Sequence, residues 1–177
     1  MKHHLHKFDT FIGQLITSLP KWLRLPMAFI SFLGQPVITV GLAMFIIGIG
    51  FKTTNEALLI AGIVTIATTV VSSLLKMILR RNRPITEYVD RMFFHTFSFP
   101  SGHAAGTVPI FGLIAYLLLH LGQPWSLAAA ITVGLLPVLV GVSRVYLGAH
   151  YASDVVGGWI IGIAGLAVIV FILQPTL

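Results

Sequence analysis

Five long apolar stretches dominate the chain, running from Gln35 to Phe51, Ala57 to Leu79, Ala104 to Leu121, Trp125 to Val142 and Ala152 to Leu173. A straight helix needs about 20 residues to cross roughly 30 Å of hydrocarbon, so each stretch predicts a transmembrane helix. The first can extend back towards Met27. Glycines recur inside the stretches (Gly41, Gly48, Gly112, Gly134, Gly141, Gly157, Gly158, Gly162, Gly165), and in lipid these permit close helix approach. The first 33 residues read differently, because Lys2, Lys7, Lys21 and Arg24 interrupt every apolar window and Pro20 and Pro26 break helices. Phe8, Phe11, Ile12, Leu15, Ile16 and Leu19 fall at helical spacing and predict a short amphipathic helix in the headgroup layer, with Trp22 as an anchor. A secretory signal fits this region less well, since Asp9 and Gln14 occupy its apolar core and no small-residue cleavage site follows. The expected fold is all-α: an integral membrane bundle of about five transmembrane helices over residues 34–177, preceded by an interfacial segment over residues 1–33.

Composition sharpens this picture. Hydrophobic residues make up 56% of the 177 and charged residues 9%, with a mean hydropathy of +0.96, which places the chain among multi-span membrane proteins. The absence of cysteine rules out disulfide, thiol and iron–sulfur chemistry. Asp9, Glu56, Glu87, Asp90 and Asp154 are the five acidic residues, too few to assemble a multi-carboxylate metal site readily, so the expected chemistry uses no metal or other cofactor. The net charge of +6 comes from Lys and Arg at the ends of apolar runs, which suits anionic lipid rather than nucleic acid. His3, His4 and His6 read as a solvated tail able to bind metal adventitiously.

Three clusters carry chemistry. Lys76 and Arg83 are seven residues apart, about 20° short of two helical turns, so both face one way if the helix continues, with Arg80 nearby and Pro84 ending the run. A charged flank of a span is the alternative, yet Lys76 lies within an apolar run, where a lysine costs about 2.5–3.5 kcal/mol unless it snorkels or faces a polar cavity. Pro100-Ser101-Gly102-His103 immediately precedes a span. Ser101 suits an N-cap, the first-turn N–H groups offer an anion site, Gly102 allows close approach to the backbone, and His103 stands beside as a proton donor. A capped helix start with an incidental histidine is the alternative. In the third cluster, Ser143 and Arg144 end the fourth span and His150 and Asp154 begin the fifth. Their four-residue spacing lets the carboxylate orient the imidazole, or merely cap and solvate a helix start.

Counting spans puts all three clusters on one membrane face. There Lys76, Arg83, Arg144 and the N–H groups of Ser101 to His103 form a cradle suited to phosphate, while two histidines supply a nucleophile and a proton donor.

These motifs, K-x6-R-P at Lys76 to Pro84, P-S-G-H at Pro100 to His103 and S-R-x5-H-x3-D at Ser143 to Asp154, resemble the type 2 phosphatidic acid phosphatase superfamily of membrane lipid phosphatases. The resemblance covers about Gly34 to Leu173. It implies that His150 attacks phosphorus to give a phosphohistidine, that Asp154 orients it, and that His103 protonates the leaving oxygen and then activates water. It implies phosphate binding by Lys76, Arg83, Ser101, Gly102 and Arg144. The implied substrates are undecaprenyl pyrophosphate, phosphatidylglycerol phosphate or phosphatidic acid, with lipid A as an alternative. Six spans are usual in bacterial members, so five is a departure. Bacterial relatives generally face the site outward, whereas here nearly every Lys and Arg lies on the site's side with Lys52 alone opposite, and the positive-inside rule argues for the cytoplasmic face.

In the long linker from about Arg80 to Ser101, Tyr88, Phe93, Phe94, Phe97 and Phe99 could guide a lipid tail or simply pack as a lid. Glu87, Asp90 and His95 could touch a headgroup or restrain Arg80, Arg81 and Arg91. Two other classes compete. Vanadate-dependent haloperoxidases share the phosphate pocket but are large soluble proteins, and an anion carrier needs polar groups at mid-membrane rather than at span ends.

Overall fold

A computed structural model describes residues 2–91 and 96–174, all of whose regular elements are helical. Phe93, Phe94 and His95 of the linker and the His3 side chain lie outside the described residues. Helix α1 (Lys2–Thr17) is followed by a 3-10 turn (Lys21–Leu23), α2 (Arg24–Leu33), α3 (Pro36–Lys52), α4 (Glu56–Leu79), a one-turn α5 (Glu87–Asp90), α6 (Gly102–Leu119), α7 (Ser126–Tyr146) and α8 (Ala152–Leu173). Helices α4, α6, α7 and α8 are each long and apolar enough to cross a membrane. Helix α3 reaches that length only together with α2, from which it is bent by 41° at Gly34–Gln35. The first expected span is therefore a bent pair of helices rather than one straight helix, and its extension back towards Met27 is helix α2.

Local chemistry sets the boundaries that matter. Pro36 opens α3 at a position where its missing N–H costs nothing. Asn55 caps α4 by accepting from Leu58 N–H at 3.1 Å, and Ser101 caps α6 by accepting from Ala104 N–H at 3.5 Å. Helix α4 does not continue to Arg83. Arg80 takes left-handed angles (φ 47°, ψ 38°) and ends it. The next residues are drawn into an extended segment by tertiary bonds: Ser98 N–H donates to the Arg81 carbonyl (2.8 Å) and Ser98 Oγ to the Asn82 carbonyl (3.0 Å). Arg80 is exposed and donates back to Met77, so it stands away from the cluster it was expected to join.

Packing uses small residues where the sequence offered them. A Cβ at Gly158 would stand 2.5 Å from the Ser101 carbonyl oxygen, one at Gly162 would stand 2.6 Å from Val108 Cβ, and one at Gly165 would stand 2.4 Å from Thr68 Oγ1. Helix α8 thereby lies directly on α6 and α4. Gly141 likewise admits Trp159, whose indole N–H donates to the Pro137 carbonyl at 3.1 Å and ties α8 to α7. Gly41 and Gly48 face open space and play no such part. Ile110, Leu113, Ile169 and Leu173 form a core between α6 and α8, while Ile63, Ile160 and Phe171 stay exposed on the outer surface as lipid-facing residues do.

Helix α1 packs on α7 and α8, with Ile12 and Ile16 against Ala104, Val145, Ala152 and Val155. Phe8, Phe11 and Leu15 remain exposed, as does Trp22 after it, so the helix has apolar groups both towards the bundle and away from it.

Candidate active site

The C-terminal ends of α4 and α7 and the N-terminal ends of α6 and α8 meet at one end of the bundle, and all three sequence clusters meet there. The turn between α7 and α8 delivers His150. Gly148 takes a positive φ of 73°, and a Cβ there would stand 2.8 Å from Thr86 Cγ2, so glycine is required on both counts. Thr86 Oγ1 donates to the Gly148 carbonyl at 3.0 Å and locks the turn to the linker.

His150 is 3% exposed. Its Nδ1 lies 3.4 Å from Asp154 Oδ2, and its Nε2 lies 3.4 Å from Arg83 Nη1. Burial, then the charges of Arg144, Arg83 and Lys76, push the imidazole well below the usual 6.5, so it is neutral at neutral pH. Asp154 is wholly buried and occupies the third position of α8, where its Oδ2 accepts from Tyr151 N–H at 2.9 Å. The spacing expectation of a carboxylate one turn beyond the histidine matches this geometry.

Arg83 reaches the same place from the irregular linker after α4 rather than from a helix. Its Nη1 donates to the Ala149 carbonyl (2.9 Å) and its Nε to the Thr96 carbonyl (2.7 Å). Lys76 Nζ donates to the carbonyls of Phe97 (3.2 Å) and Ser98 (3.4 Å). Its Cε would be 3.7 Å from a Cβ on Gly102, so the lysine lies along the open face of that glycine. Ser101 is buried, and its N–H donates to the Asp154 carbonyl at 2.8 Å, which joins the second motif directly to the third. His103, in the first turn of α6, lies within electrostatic reach of Arg144, His150, Lys76 and Arg83. Arg144 is 2% exposed. Its Nη1 donates to Ser31 Oγ (2.6 Å) and Tyr88 OH (3.2 Å), while its Nε is buried with no hydrogen-bond partner among the described residues.

Several participants escaped the sequence reading. Ser31 of α2 holds Arg144, although it lies in the segment expected to be interfacial. Arg81 pairs with Asp154 (2.7 Å) and with Asp9 of α1 (2.6 Å), a carboxylate from the far N-terminus that the sequence did not connect to it. Glu87 faces Arg91 at 3.7 Å on the surface, one of the restraints expected for the linker. Of the linker aromatics named from the sequence, Tyr88 meets Arg144 and the Phe99 ring fills the space left by Gly157, as the packing alternative expects. A cavity of about 640 Å³ opens between α1 and the end of α4, lined by Leu5, Asp9, Leu79, Arg81, Phe99 and Tyr151.

Comparison with known proteins identifies the family. The model of the PAP2 superfamily matches residues 57–176. Phosphatidylglycerophosphatase B of Bacillus subtilis (strain 168) is 34% identical over 136 residues, a match spanning 75% of this chain and 64% of that relative's length. An Escherichia coli (strain K12) protein, YbjG, provisionally named an undecaprenyl-diphosphatase, is 28% identical over 166 residues, covering 91% of this chain and 80% of that one. The crystal structure of a transmembrane PAP2-type phosphatidylglycerolphosphate phosphatase from Bacillus subtilis superposes with a TM-score of 0.80 at 28% identity, covering 97% of this chain and 87% of that one. The family match extends over more than half of the chain and takes in all three clusters that the bundle gathers, so this multi-pass membrane protein belongs to the PAP2 superfamily.

Proposed function

We propose that the chain is a lipid phosphatase that cleaves a phosphate or pyrophosphate ester of a membrane lipid through a phosphohistidine on His150. The observation that carries this reading is a neutral buried imidazole with a carboxylate at Nδ1 and a guanidinium beside Nε2. Charge supports it. Lys76, Arg83 and Arg144 gather at the site around the buried Asp154, and a cation-rich cradle of this kind suits a phosphate monoester dianion. An unpartnered buried donor such as Arg144 Nε costs about 1–3 kcal/mol, and a phosphate oxygen would satisfy it.

In the first step His150 Nε2 attacks phosphorus, the P–O bond to the lipid breaks, and His103 gives its proton to the leaving oxygen. The bound dianion supplies the negative charge that lets His103 hold that proton beforehand. In the second step water attacks the phosphohistidine, His103 takes the water's proton, and inorganic phosphate leaves. Lys76, Arg83 and Arg144, with the Gly102 N–H and the Ser101 hydroxyl, compensate the equatorial oxygens, the Ser101 N–H being already given to the Asp154 carbonyl; metal ions perform this task in other phosphoryl-transfer sites.

The substrate is an undecaprenyl pyrophosphate or a phosphatidylglycerol phosphate or phosphatidic acid-type lipid, in keeping with the names of the relatives. The cavity beside Arg81 offers apolar surface near the site. An anion-carrier reading finds less support. The buried hydroxyls of Thr65, Thr68 and Thr107 within the spans are turned back onto their own helices.

The test is phosphate release from these lipids by purified protein in excess chelator. Release is expected in wild type and is expected to vanish in His150→Ala, and turnover retained in that variant would remove His150 as nucleophile. We place the site on the outer face, following the family resemblance, so the same assay on intact cells should release phosphate without permeabilisation.

A further inference from the structure

We propose that Arg81 is a positioning residue for Asp154 and that Asp9, on the N-terminal helix, anchors it, so that turnover depends on α1 being seated on the bundle. This inference rests on the lipid-phosphatase reading.

The His150–Asp154 contact is 3.4 Å, too long to orient the carboxylate by itself. Orientation has to come from elsewhere. Arg81 Nη1 donates to Asp154 Oδ1 at 2.7 Å, and Tyr151 N–H donates to Oδ2 at 2.9 Å. Two short bonds, one to each oxygen, fix the plane of a wholly buried carboxylate and leave Oδ2 turned to the imidazole. Arg81 would not hold this position alone, because its side chain keeps 28% of its surface exposed and a hydrated alternative is available. Its other nitrogen, Nη2, is held by Asp9 Oδ2 at 2.6 Å, and its guanidinium lies over the Tyr151 ring at 4.3 Å.

Asp9 is itself committed. It is 7% exposed on an otherwise amphipathic helix, and it accepts from Ser153 N–H (2.8 Å, to Oδ1) and Ser153 Oγ (2.8 Å, to Oδ2). Ser153 Oγ also meets Arg81 Nη1 at 2.7 Å. Asp9, Ser153 and Arg81 thus close a small ring over the first turn of α8, and the chain of contacts runs Asp9, Arg81, Asp154, His150. An isolated surface helix has no need of a buried carboxylate. Burying one is favourable here because a cation and two donors meet it.

The experiment uses the full chain in detergent, with kcat, KM, inhibition by inorganic phosphate and the thermal midpoint measured for Arg81→Gln, Arg81→Lys, Asp9→Asn and the Arg81→Gln/Asp9→Asn pair. Arg81→Gln is expected to lower kcat by about 10–100-fold, with KM and phosphate inhibition within about threefold, because it removes a charged hydrogen bond without touching the phosphate. Arg81→Lys should recover part of that loss, since one ammonium can serve Asp154 but cannot bridge both carboxylates. Asp9→Asn should lower kcat by about 3–10-fold alone and by nothing further in the Arg81→Gln background, because it acts through Arg81. If Arg81→Gln fails to fold, the Arg81→Lys and Asp9→Asn values carry the same test. Wild-type turnover with kcat of these variants within twofold overturns this inference alone. A loss seen in phosphate inhibition instead of kcat makes Arg81 a binding residue and overturns it as well. A wild-type protein that releases no phosphate overturns the lipid-phosphatase reading and this one together.

Discussion

His150 is neutral because it is buried among cations, and its position is set from both ring nitrogens and from the turn behind it. Its protonation has a consequence for stability. The folded value lies well below 6.5 and the unfolded chain titrates near 6.5, so as pH falls through that value the unfolded state takes up a proton that the folded state refuses. His150 therefore leaves stability level above pH 6.5 and subtracts from it below. The imidazole resonance of His150 is expected to stay flat from about pH 8 to about pH 6, and a midpoint at or above 6.5 would contradict the burial argument. His150→Gln should remove its share of the acid-side slope in unfolding. At this scale the sequence was informative where motif spacing coincides with helix geometry: Asp154 stands one turn past His150, and Ser101 caps α6. It was silent on Asp9 and Ser31, whose partners lie 72 and 113 positions away. One acid in an amphipathic helix and one serine in an apolar one carry no local sign of what they will meet.

Among the elements, α8 matters most, because its glycines allow α6 to bring Ser101 and His103 against Asp154 and His150. The Ser101 N–H to Asp154 carbonyl bond, at 2.8 Å, sits at that crossing. A Cβ at Gly158 would stand 2.5 Å from the Ser101 carbonyl and 2.8 Å from Ala104 Cβ, closer than real contacts allow, so the loop before α6 must shift. Gly158→Ala is expected to destabilise by about 1–3 kcal/mol and to depress turnover more than Gly41→Ala, whose Cβ would meet open space. Equal thermal midpoints and turnover in the two variants would show that the crossing tolerates more room than the packing suggests. The five apolar stretches were readable from composition alone, since hydrocarbon demands length and little else. Two element-level features were not. The end of α4 at Leu79 is imposed by Ser98 bonding to Arg81 and Asn82 from the far side of the linker, and helical spacing from Lys76 to Arg83 could not anticipate it. The break between α2 and α3 comes at Gly34–Gln35, where a Cβ on Gly34 would stand 2.4 Å from Val140 Cγ1 of α7.

For the molecule as a whole, the helices place an uncharged bundle in the membrane and collect the chemistry at one end of it. Among the described residues cations cluster there, with Lys52 at the other end. Lys76, Arg81, Arg83 and Arg144 all stand at the candidate site, so on the proposed function part of that asymmetry serves the site's chemistry rather than topology. Helix α1 packs over this end and, among the described residues, bonds to Arg81 and Ser153 through the buried Asp9 carboxylate, which on the inference above makes the N-terminal segment part of the working structure. Everything in this account turns on His150 forming a bond to phosphorus. The most direct measurement is rapid acid-free quenching of purified protein mixed with a lipid phosphate carrying a labelled phosphoryl group, followed by peptide mapping under alkaline conditions that preserve phosphohistidine. The label should appear on the peptide containing His150 and be absent from His150→Asn. A chain that turns over substrate with no label on that peptide, or with the label on another residue, would contradict it.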